Sequence, residues 1–359
     1  MLKVAVVGGS IGGLSAATAL HRLGCHVKVF ERAATPFSGR GGSIGFCHVP
    51  LWEQVAGHRL LRRGVPATRA QGAFLYGDLW RYWNERLPTG TVRYNTTITT
   101  LGDDPLRPTI DGEVFDLAII ADGSWSSLRA TYFTPTMPQY ASYNVFRFRV
   151  LREHCPWFNA EGSYENGSHF TIQMMIAADD GTDWLMGGTS VPAEESEVAG
   201  WRTGDAGANR QAGDAATPLP DWFLPLYKEK FGKQAGGQLL RVMEAAAAHG
   251  RITMLPQYEY RASEVTRGRL VLIGDAAHTA SPRTAAGAHT AVLDALGIHD
   301  AFQPVLAAGP GAGGWGAAVD RALAAYAPGG IERAAALYAR SLEVSAPVRD
   351  PSWVRRTEL

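Results

Sequence analysis

The sequence predicts an α/β protein: a parallel sheet of the Rossmann type, an antiparallel sheet inserted into it, and helices at the C-terminal end. Three observations lead there. A β-branched run, a glycine-rich turn, a helical pattern and a second apolar run follow one another within the first 30 residues. Two later apolar runs, 117–120 and 270–273, each end in a short acidic turn. Between these runs the sequence changes texture and alternates with the period of half-exposed antiparallel strands.

In order along the chain, Val4 to Val7 reads as the first strand, Leu14 to Leu23 as a helix and Val27 to Phe30 as the second strand. Tyr143 to Val150, His169 to Ile176 and Trp184 to Met186 read as antiparallel strands. Residues 190–220 are rich in Ala, Gly, Asp and Glu and read as a mobile surface loop. After the break AAGPGAGGWG, two Ala-rich helical segments are expected around 317–326 and 331–342. The expected organisation is a nucleotide domain in two parts, 1–131 and 255–300, a mainly sheet-based substrate domain at 132–254, and C-terminal helices at 301–359.

Composition narrows the function classes. The 359 residues are 46% hydrophobic and 19% charged, with Lys+Arg and Asp+Glu both 34, and the mean hydropathy is −0.10. Neither a disordered chain nor a nucleic-acid-dedicated one fits that balance, and no nucleic-acid partner is expected. Cys25, Cys47 and Cys155 are odd in number and lack CxxC spacing, which argues against a disulfide framework or a thiolate metal site. The ten histidines show neither HxxxH nor HxH spacing, so no metal is expected. The opening MLKVAVVGGSIGGLSAATAL lacks a basic leader and is broken by four glycines, so it reads as strand and helix. A cytoplasmic protein without a membrane segment, monomer or homodimer, is the expectation.

The segment Gly8-Gly9-Ser10-Ile11-Gly12-Gly13 stands in the register of G-x-G-x-x-G, with Ser10 at the second glycine. The first glycine allows the tight turn, the second lets backbone approach a pyrophosphate, and the third lets helix and strand pack closely. A phosphate then meets the free N–H groups and the positive end of the helix. The Ser10 hydroxyl can itself bond a phosphate oxygen. Glu31 ends the second strand at the place of the acid that accepts from a ribose hydroxyl, and a carboxylate there repels a 2′-phosphate, favouring NAD or FAD over NADP. Gly8, Ser10, Ile11, Gly13, Glu31 and Arg32 are the expected nucleotide contacts. Simple close packing of a glycine-rich turn is the alternative reading.

Two further strand ends carry Asp122-Gly123-Ser124-Trp125-Ser126-Ser127-Leu128-Arg129 and Gly274-Asp275-Ala276-Ala277-His278-Thr279-Ala280-Ser281-Pro282, the latter running on through Gly287 to Asp294. With the first turn, in this order and at this wide spacing, they resemble the three signatures of the class A flavoprotein monooxygenases, the aromatic hydroxylases typified by p-hydroxybenzoate hydroxylase. The resemblance covers most of residues 1–300, and the Asp275 segment is its most specific part. It implies an FAD-dependent enzyme using NADH or NADPH as a transient co-substrate. Its activity would be hydroxylation of a phenolic or pyridinol-like small molecule with O2 through a C4a-hydroperoxyflavin.

The resemblance also implies roles for individual residues. Asp275 accepts from a ribityl hydroxyl, while Pro282 turns the chain into a helix starting at about Thr284. The N–H groups of that helix, at Ala285, Ala286 and Gly287, then face the flavin N1–C2=O edge, where reduced flavin carries negative charge. Asp122 and Gly123 lie near the pyrophosphate, Arg129 follows as the family motif expects, Gly274 opens the third turn, and Arg40 stands near the flavin. Turn or N-cap acids are the bland reading of Asp122 and Asp275. Two departures stand out: Ala285-Ala286-Gly287 replaces Gly-Gln-Gly, and the helix near Leu79 lacks the arginine that many members place at its start. These variants look closest to the dihydroxypyridine hydroxylase branch.

Substrate contacts are expected from the inserted sheet and the loop after Ile44. Alternation puts His169, Thr171, Gln173 and Met175 on one face of their strand, a mixed face that either lines a pocket or meets solvent. His48 is the catalytic candidate, placed to bond a phenol or pyridinol, with a packed or surface histidine as the alternative. Cys47 and His48 are adjacent in an extended segment and point to opposite faces, so they form no pair. His278 reads as structural. A same-fold epoxidase or Baeyer–Villiger oxidant and a non-catalytic flavin-binding partner are the other readings. A flavin halogenase is disfavoured because its WxWxIP motif is missing.

Overall fold

The computed structural model describes residues 1–36, 42–44, 49–60, 74–178, 180–193, 219–311 and 313–349. The chain begins with β1 (Lys3–Val7), α1 (Ile11–Arg22) and β2 (His26–Phe30). β1 and β2 pair in parallel, and the Ala-rich inner face of α1 packs on them with Leu14, Ala16, Ala17 and Leu20 fully buried. Next come β3 (Ser43–Ile44), α2 (Val49–Ala56), β4 (Phe74–Leu75) and α3 (Tyr76–Asn84), with β3 and β4 paired antiparallel. β5 (Val92–Arg93) and β6 (Leu117–Ile120) follow, then the short helix α4 (Ser127–Tyr132).

The second sheet is built from β7 (Gln139–Leu151), β8 (Gly162–Asn166), β9 (His169–Ala177) and β10 (Asp183–Pro192). Helices α5 (Phe223–Phe231) and α6 (Gln238–His249) cover one of its faces, and β11 (Arg251–Arg261) returns through it beside β7. The chain then re-enters the first sheet with β12 (Thr266–Arg267) and β13 (Leu270–Leu272), touches the second again with β14 (His278–Thr279), and ends in α7 (Gly287–Ala308) and α8 (Gly314–Ser345).

The first sheet has the order β12-β13-β6-β1-β2-β5, and the second β8-β9-β10-β7-β11-β14. In the first, β1, β2, β5, β6 and β13 are parallel and β12 is an antiparallel edge. All-buried runs such as Leu117–Ile120 fit strands covered on both faces. From β1 the chain builds outward through β2 to β5, then crosses back to lay β6 on the other side of β1. That reversal is a topological switch point, the crevice in which open α/β sheets hold ligands.

Three expectations change in detail. β10 runs on to Pro192, so Ser190 to Pro192 belong to the sheet, with Val191 buried among the residues beneath α5 and α6. Most of the remaining stretch to 220 lies outside the described residues. The two C-terminal segments are one helix of 32 residues that passes through Pro328. Tertiary packing against α7 holds this helix together, with Gly330 fitted against Val265 and Tyr326 where a Cβ would crowd both. Third, residues 282–284 make only a one-turn 3-10 helix, because Ala285 adopts φ +50°, and α7 begins at Gly287.

The turn after β1 shows why glycine is required there. Gly8 has φ +109° and a Cβ on it would overlap the Ala121 carbonyl at the end of β6. A Cβ on Gly13 would overlap the Gly8 carbonyl, so α1 can approach the strand end only without one. Gly13→Ala is therefore expected to destabilise the fold by about 1–3 kcal/mol. A thermal melt reads this directly, and an unchanged midpoint would show that helix and turn are not in such close contact.

Candidate functional site

Three strand ends meet at the switch point. β1 and β6 are neighbours, as are β6 and β13, so the turns at Gly8–Gly13, Asp122–Gly123 and Gly274–Asp275 lie side by side at the carboxyl edge of the sheet. The sequence separates them widely; the parallel pairing brings them together.

Each turn offers groups suited to a dinucleotide. α1 has no side-chain cap and no acidic residue in its first turn, which leaves its positive end for an external anion. Glu31, at the end of β2, is buried and accepts from the backbone N–H of Gly9 at 2.6 Å and of Ala33 at 2.7 Å, so its carboxylate is fixed beside the turn with acceptor capacity to spare. Arg32 next to it is exposed. At the second turn, burial raises the Asp122 carboxyl above the usual range although the Ser126 hydroxyl and Arg129 pull it down, and Asp122 Oδ1 has no partner among the described residues. At the third turn, Asp275 is exposed within a run that is otherwise buried from Leu270 to Thr279. Its carboxylate projects from the strand end, with the Ser124 hydroxyl 3.4 Å from Oδ2.

Arg129 behaves differently from the expectation. It is 1% exposed. Its Nη1 donates to the Ala276 carbonyl at 2.9 Å, its Nη2 to the Ser124 carbonyl at 2.8 Å, and its guanidinium lies 4.0 Å over the Tyr260 ring. It is no cofactor contact: it ties the second turn to the third, and a ligand would meet the surface that it shapes.

Beyond these turns, Ser281 opens the 282–284 turn and caps it through Arg283 N–H. Pro282 sits at its first position, and the Thr284 hydroxyl accepts from Ala286 N–H at 3.1 Å. Ala286 is thus the N-cap of α7, and the N–H groups open at its start begin with Gly287. Tyr143 of β7 donates to the Ser281 hydroxyl at 2.5 Å, fastening this loop to the second sheet. Arg283 fastens it again: Nε donates to the Val344 carbonyl of α8 at 2.7 Å, Nη2 to Glu165 of β8 at 3.1 Å, and the guanidinium lies 3.9 Å over Phe170 of β9.

Behind the third turn is a buried charge group. Asp294 of α7 accepts from Gly274 N–H at 3.0 Å, lies 2.7 Å from His278 Nε2 through the same oxygen, and accepts from Arg333 Nε of α8 at 2.8 Å through the other. Burial by itself would drive the His278 imidazole down, but the Asp294 carboxylate outweighs it and the net direction is up. Burial would likewise raise Asp294, and His278 and Arg333 together hold it low. Neither Asp294 nor Arg333 was among the sequence candidates for this role.

The face of β9 that carries His169, Thr171, Gln173 and Met175 neither lines a pocket nor meets solvent but is covered by helices. One row across the sheet is Gln173, Gly187, Phe148 and Ile252, and this row, with Thr171, Thr189 and Phe146, faces α5 and α6. Thr171 and Gln173 are buried against the Tyr227 hydroxyl, and Gln173 Nε2 also donates to the Leu239 carbonyl. His169 is buried in the same layer, where burial and Lys230 push it down to about 4; Met175 packs on the same core. Their polar atoms serve the sheet–helix interface, so these four residues do not line the nucleotide side. The opposite row is Ile172, Gly188, Arg147 and Thr253, and the Arg147 side chain lies against Gly42, just before β3. Arg40 and His48 lie outside the described residues.

Two residues that the sequence reading did not single out complete the first turn. Trp80 Nε1 donates to the Gly9 carbonyl at 2.9 Å, and the Tyr76 hydroxyl lies 2.7 Å from Ser10 Oγ. Both belong to α3. The signal available was the interval of four between Tyr76 and Trp80, which puts both on one helix face.

Comparison with known proteins agrees with this geometry. Residues 6–85 match the NAD(P)-binding Rossmann-like domain family and residues 229–339 the FAD binding domain family. A 3-amino-4-hydroxybenzoate 2-monooxygenase of Streptomyces platensis is 24% identical, over 83% of this chain and 78% of its own. A 6-hydroxynicotinate 3-monooxygenase of Bordetella bronchiseptica is 25% identical, over 84% of this chain and 82% of its own. Among solved structures, 2,6-dihydroxypyridine-3-hydroxylase from Arthrobacter nicotinovorans superposes with a TM-score of 0.73 at 19% identity, covering 97% of this chain and 93% of that one. A salicylate hydroxylase substrate complex superposes with a TM-score of 0.67 at 19% identity, covering 99% and 91%. These structures share the fold, with its Rossmann-like domain, antiparallel sheet and C-terminal helices, and the cofactor of this chain is FAD.

Arg129→Met should leave the Ser124 and Ala276 carbonyls without their donor, at about 1–3 kcal/mol each. A lower melting temperature and a lower flavin content on purification are expected; full flavin content would remove Arg129 from this role. His278 gives a pH signature. Because its folded value is raised above the unfolded one near 6.5, its stabilisation is complete below about pH 6.5 and fades as pH rises through the folded value. The melting-temperature gap between the protein and His278→Gln should therefore be widest at acidic pH and shrink on the alkaline side. A gap that widens with pH would contradict the sign.

Proposed function

We propose that this chain, a member of the FAD-dependent aromatic hydroxylases among the flavoprotein monooxygenases, inserts one oxygen atom from O2 into the ring of a phenol or pyridinol, with NADH or NADPH as electron donor. The observation that carries this reading is the exposed Asp275 carboxylate at the meeting point of three turns, a few residues ahead of a loop that is bonded to the antiparallel sheet. An acid placed there suits a ribityl hydroxyl, and the start of α7 suits the electron-rich edge of a reduced ring.

When bound, FAD supplies the electrons that activate dioxygen. Glu31 is fixed to accept ribose hydroxyls, and Asp275 to accept ribityl hydroxyls. Bonds to Tyr143, Glu165 and Val344 fix the 281–287 loop, and with it the N–H groups of Gly287 and its successors, which would meet the electron-rich edge of the ring. Ile172, Gly188, Arg147 and Thr253 form the sheet wall against which a flat substrate would be held and water excluded. His48 is the proposed hydrogen-bonding group for the ring hydroxyl. Carboxylated hydroxybenzene and hydroxypyridine substrates in the relatives' names support an aromatic ring of this size. A cytoplasmic setting suits both the pyridine nucleotide and the free buried thiols of Cys25 and Cys155.

The test is NADH and NADPH oxidation by the FAD-loaded protein across a panel of hydroxybenzoates and hydroxypyridines, with mass analysis of products. Stimulated oxidation and a product heavier by one oxygen atom are expected. Tight FAD with neither stimulation nor oxygenated product would favour the flavin-binding partner.

A further inference from the structure

A buried acid near the end of β11, Glu259, gathers side chains from the C-terminal end of the described chain. Ser341 of α8 donates to its Oε1 at 2.5 Å, and Arg349 Nη2 donates to its Oε2 at 2.5 Å. Arg349 closes the short 3-10 helix Ala346–Arg349, in which Val348 is buried against Ala141 and Tyr143 of β7. The protons of this group run in one direction. Ser345 gives its proton to the Ser341 carbonyl at 2.6 Å and accepts from Arg349 Nε at 2.9 Å. Ser341 gives its single proton to Glu259, so its oxygen is left to accept, and it accepts the Ser281 N–H at 2.6 Å. Ser281 is held at a second point by Tyr143, which donates to its hydroxyl. Further along the same loop Ala285 stands at φ +50°, a left-handed conformation that persists where the surroundings over-determine it. Gly287 and the start of α7 follow.

We propose that Glu259 is the positioning residue of the 281–287 loop: through Ser341 it fixes the Ser281 N–H, and through Ser281 the backbone that leads to the open N–H groups of α7. The inference rests on the reading of those N–H groups as the part that meets a reduced ring, and adds what holds them in place. A carboxylate offers acceptors on both oxygens, which is what Ser341 and Arg349 each need. An amide at the same place offers one acceptor and one donor, so either Arg349 faces a donor or Ser341 loses its direction. Arg349 also brings the countercharge that lets the acid stay buried. The turn at 346–349, remote from the loop in sequence, thereby bears on the loop's geometry.

The experiment measures the ratio of two-electron-reduced to oxidised flavin in the FAD-loaded full chain, against a reference dye, for the protein, Glu259→Gln, Ser341→Ala, Arg349→Met and Arg349→Lys. A loop released from its clamp holds its N–H groups less well against a reduced ring. Ser341→Ala and Glu259→Gln should therefore each lower the ratio about tenfold at a given dye potential, which is about 30 mV for a two-electron couple. Arg349→Met should lower it in the same direction, and Arg349→Lys, which keeps the charge, should recover most of the loss. The sign separates position from charge: by charge alone, removing the negative group in Glu259→Gln would favour the reduced flavin and raise the ratio. A raised ratio in Glu259→Gln, or ratios within twofold of the unaltered protein across the set while only the melting temperature falls, would overturn the proposal. Ser341→Ala removes a single hydroxyl, so it carries the test even where Glu259→Gln fails to fold. No substrate takes part, so absence of an oxygenated product in the substrate panel would overturn the proposed activity and leave this assignment standing.

Discussion

The buried guanidinium of Arg129 is the constraint on which the ligand side of this fold depends. Adjacent parallel strands bring the ends of β6 and β13 close, but they do not fix the turns that follow. Arg129 does so by giving one donor to each turn, and its planar fork suits two carbonyls at once. Its charge is stacked on Tyr260 and near Asp122, which makes burial tolerable. The arginine of the motif therefore acts one layer behind the ligand. The exposed surface at Asp275 is its product.

The same layering recurs behind the third turn. Asp294 receives the Gly274 N–H, the His278 imidazole and the Arg333 guanidinium, so a residue of α7 links the loop geometry to the C-terminal helix. Room for Arg333 comes from Gly297 and Gly329, whose missing side chains leave its guanidinium a channel between α7 and α8. A single buried carboxylate facing a guanidinium, an imidazole and a backbone donor is fully satisfied, which is the condition for such a group to be retained in a core.

Much of this was legible in the sequence, for definable reasons. The glycine turn, Glu31 and the two Asp-bearing strand ends obey local rules of backbone space and strand length, so they could be read residue by residue. The period of 169–176 was also legible and set two faces. It could not say which face α5 and α6 would cover, and polar Thr171 and Gln173 misled because their partners, Tyr227 and the Leu239 carbonyl, are remote in sequence. Continuity of α8 through Pro328 escaped the reading for a similar reason: packing on α7 outweighs a local breaker. The interval of four between Tyr76 and Trp80 was legible, but what that helix face meets, Ser10 and Gly9, is remote in sequence.

Arg283 carries a mechanical consequence. One side chain bolts the loop ahead of α7 to an edge strand, to the neighbouring strand's Phe170 and to the tail of α8. Loop, sheet edge and tail therefore translate as one bracket. Sliding any one of these three pieces past the others would break contacts of this single guanidinium.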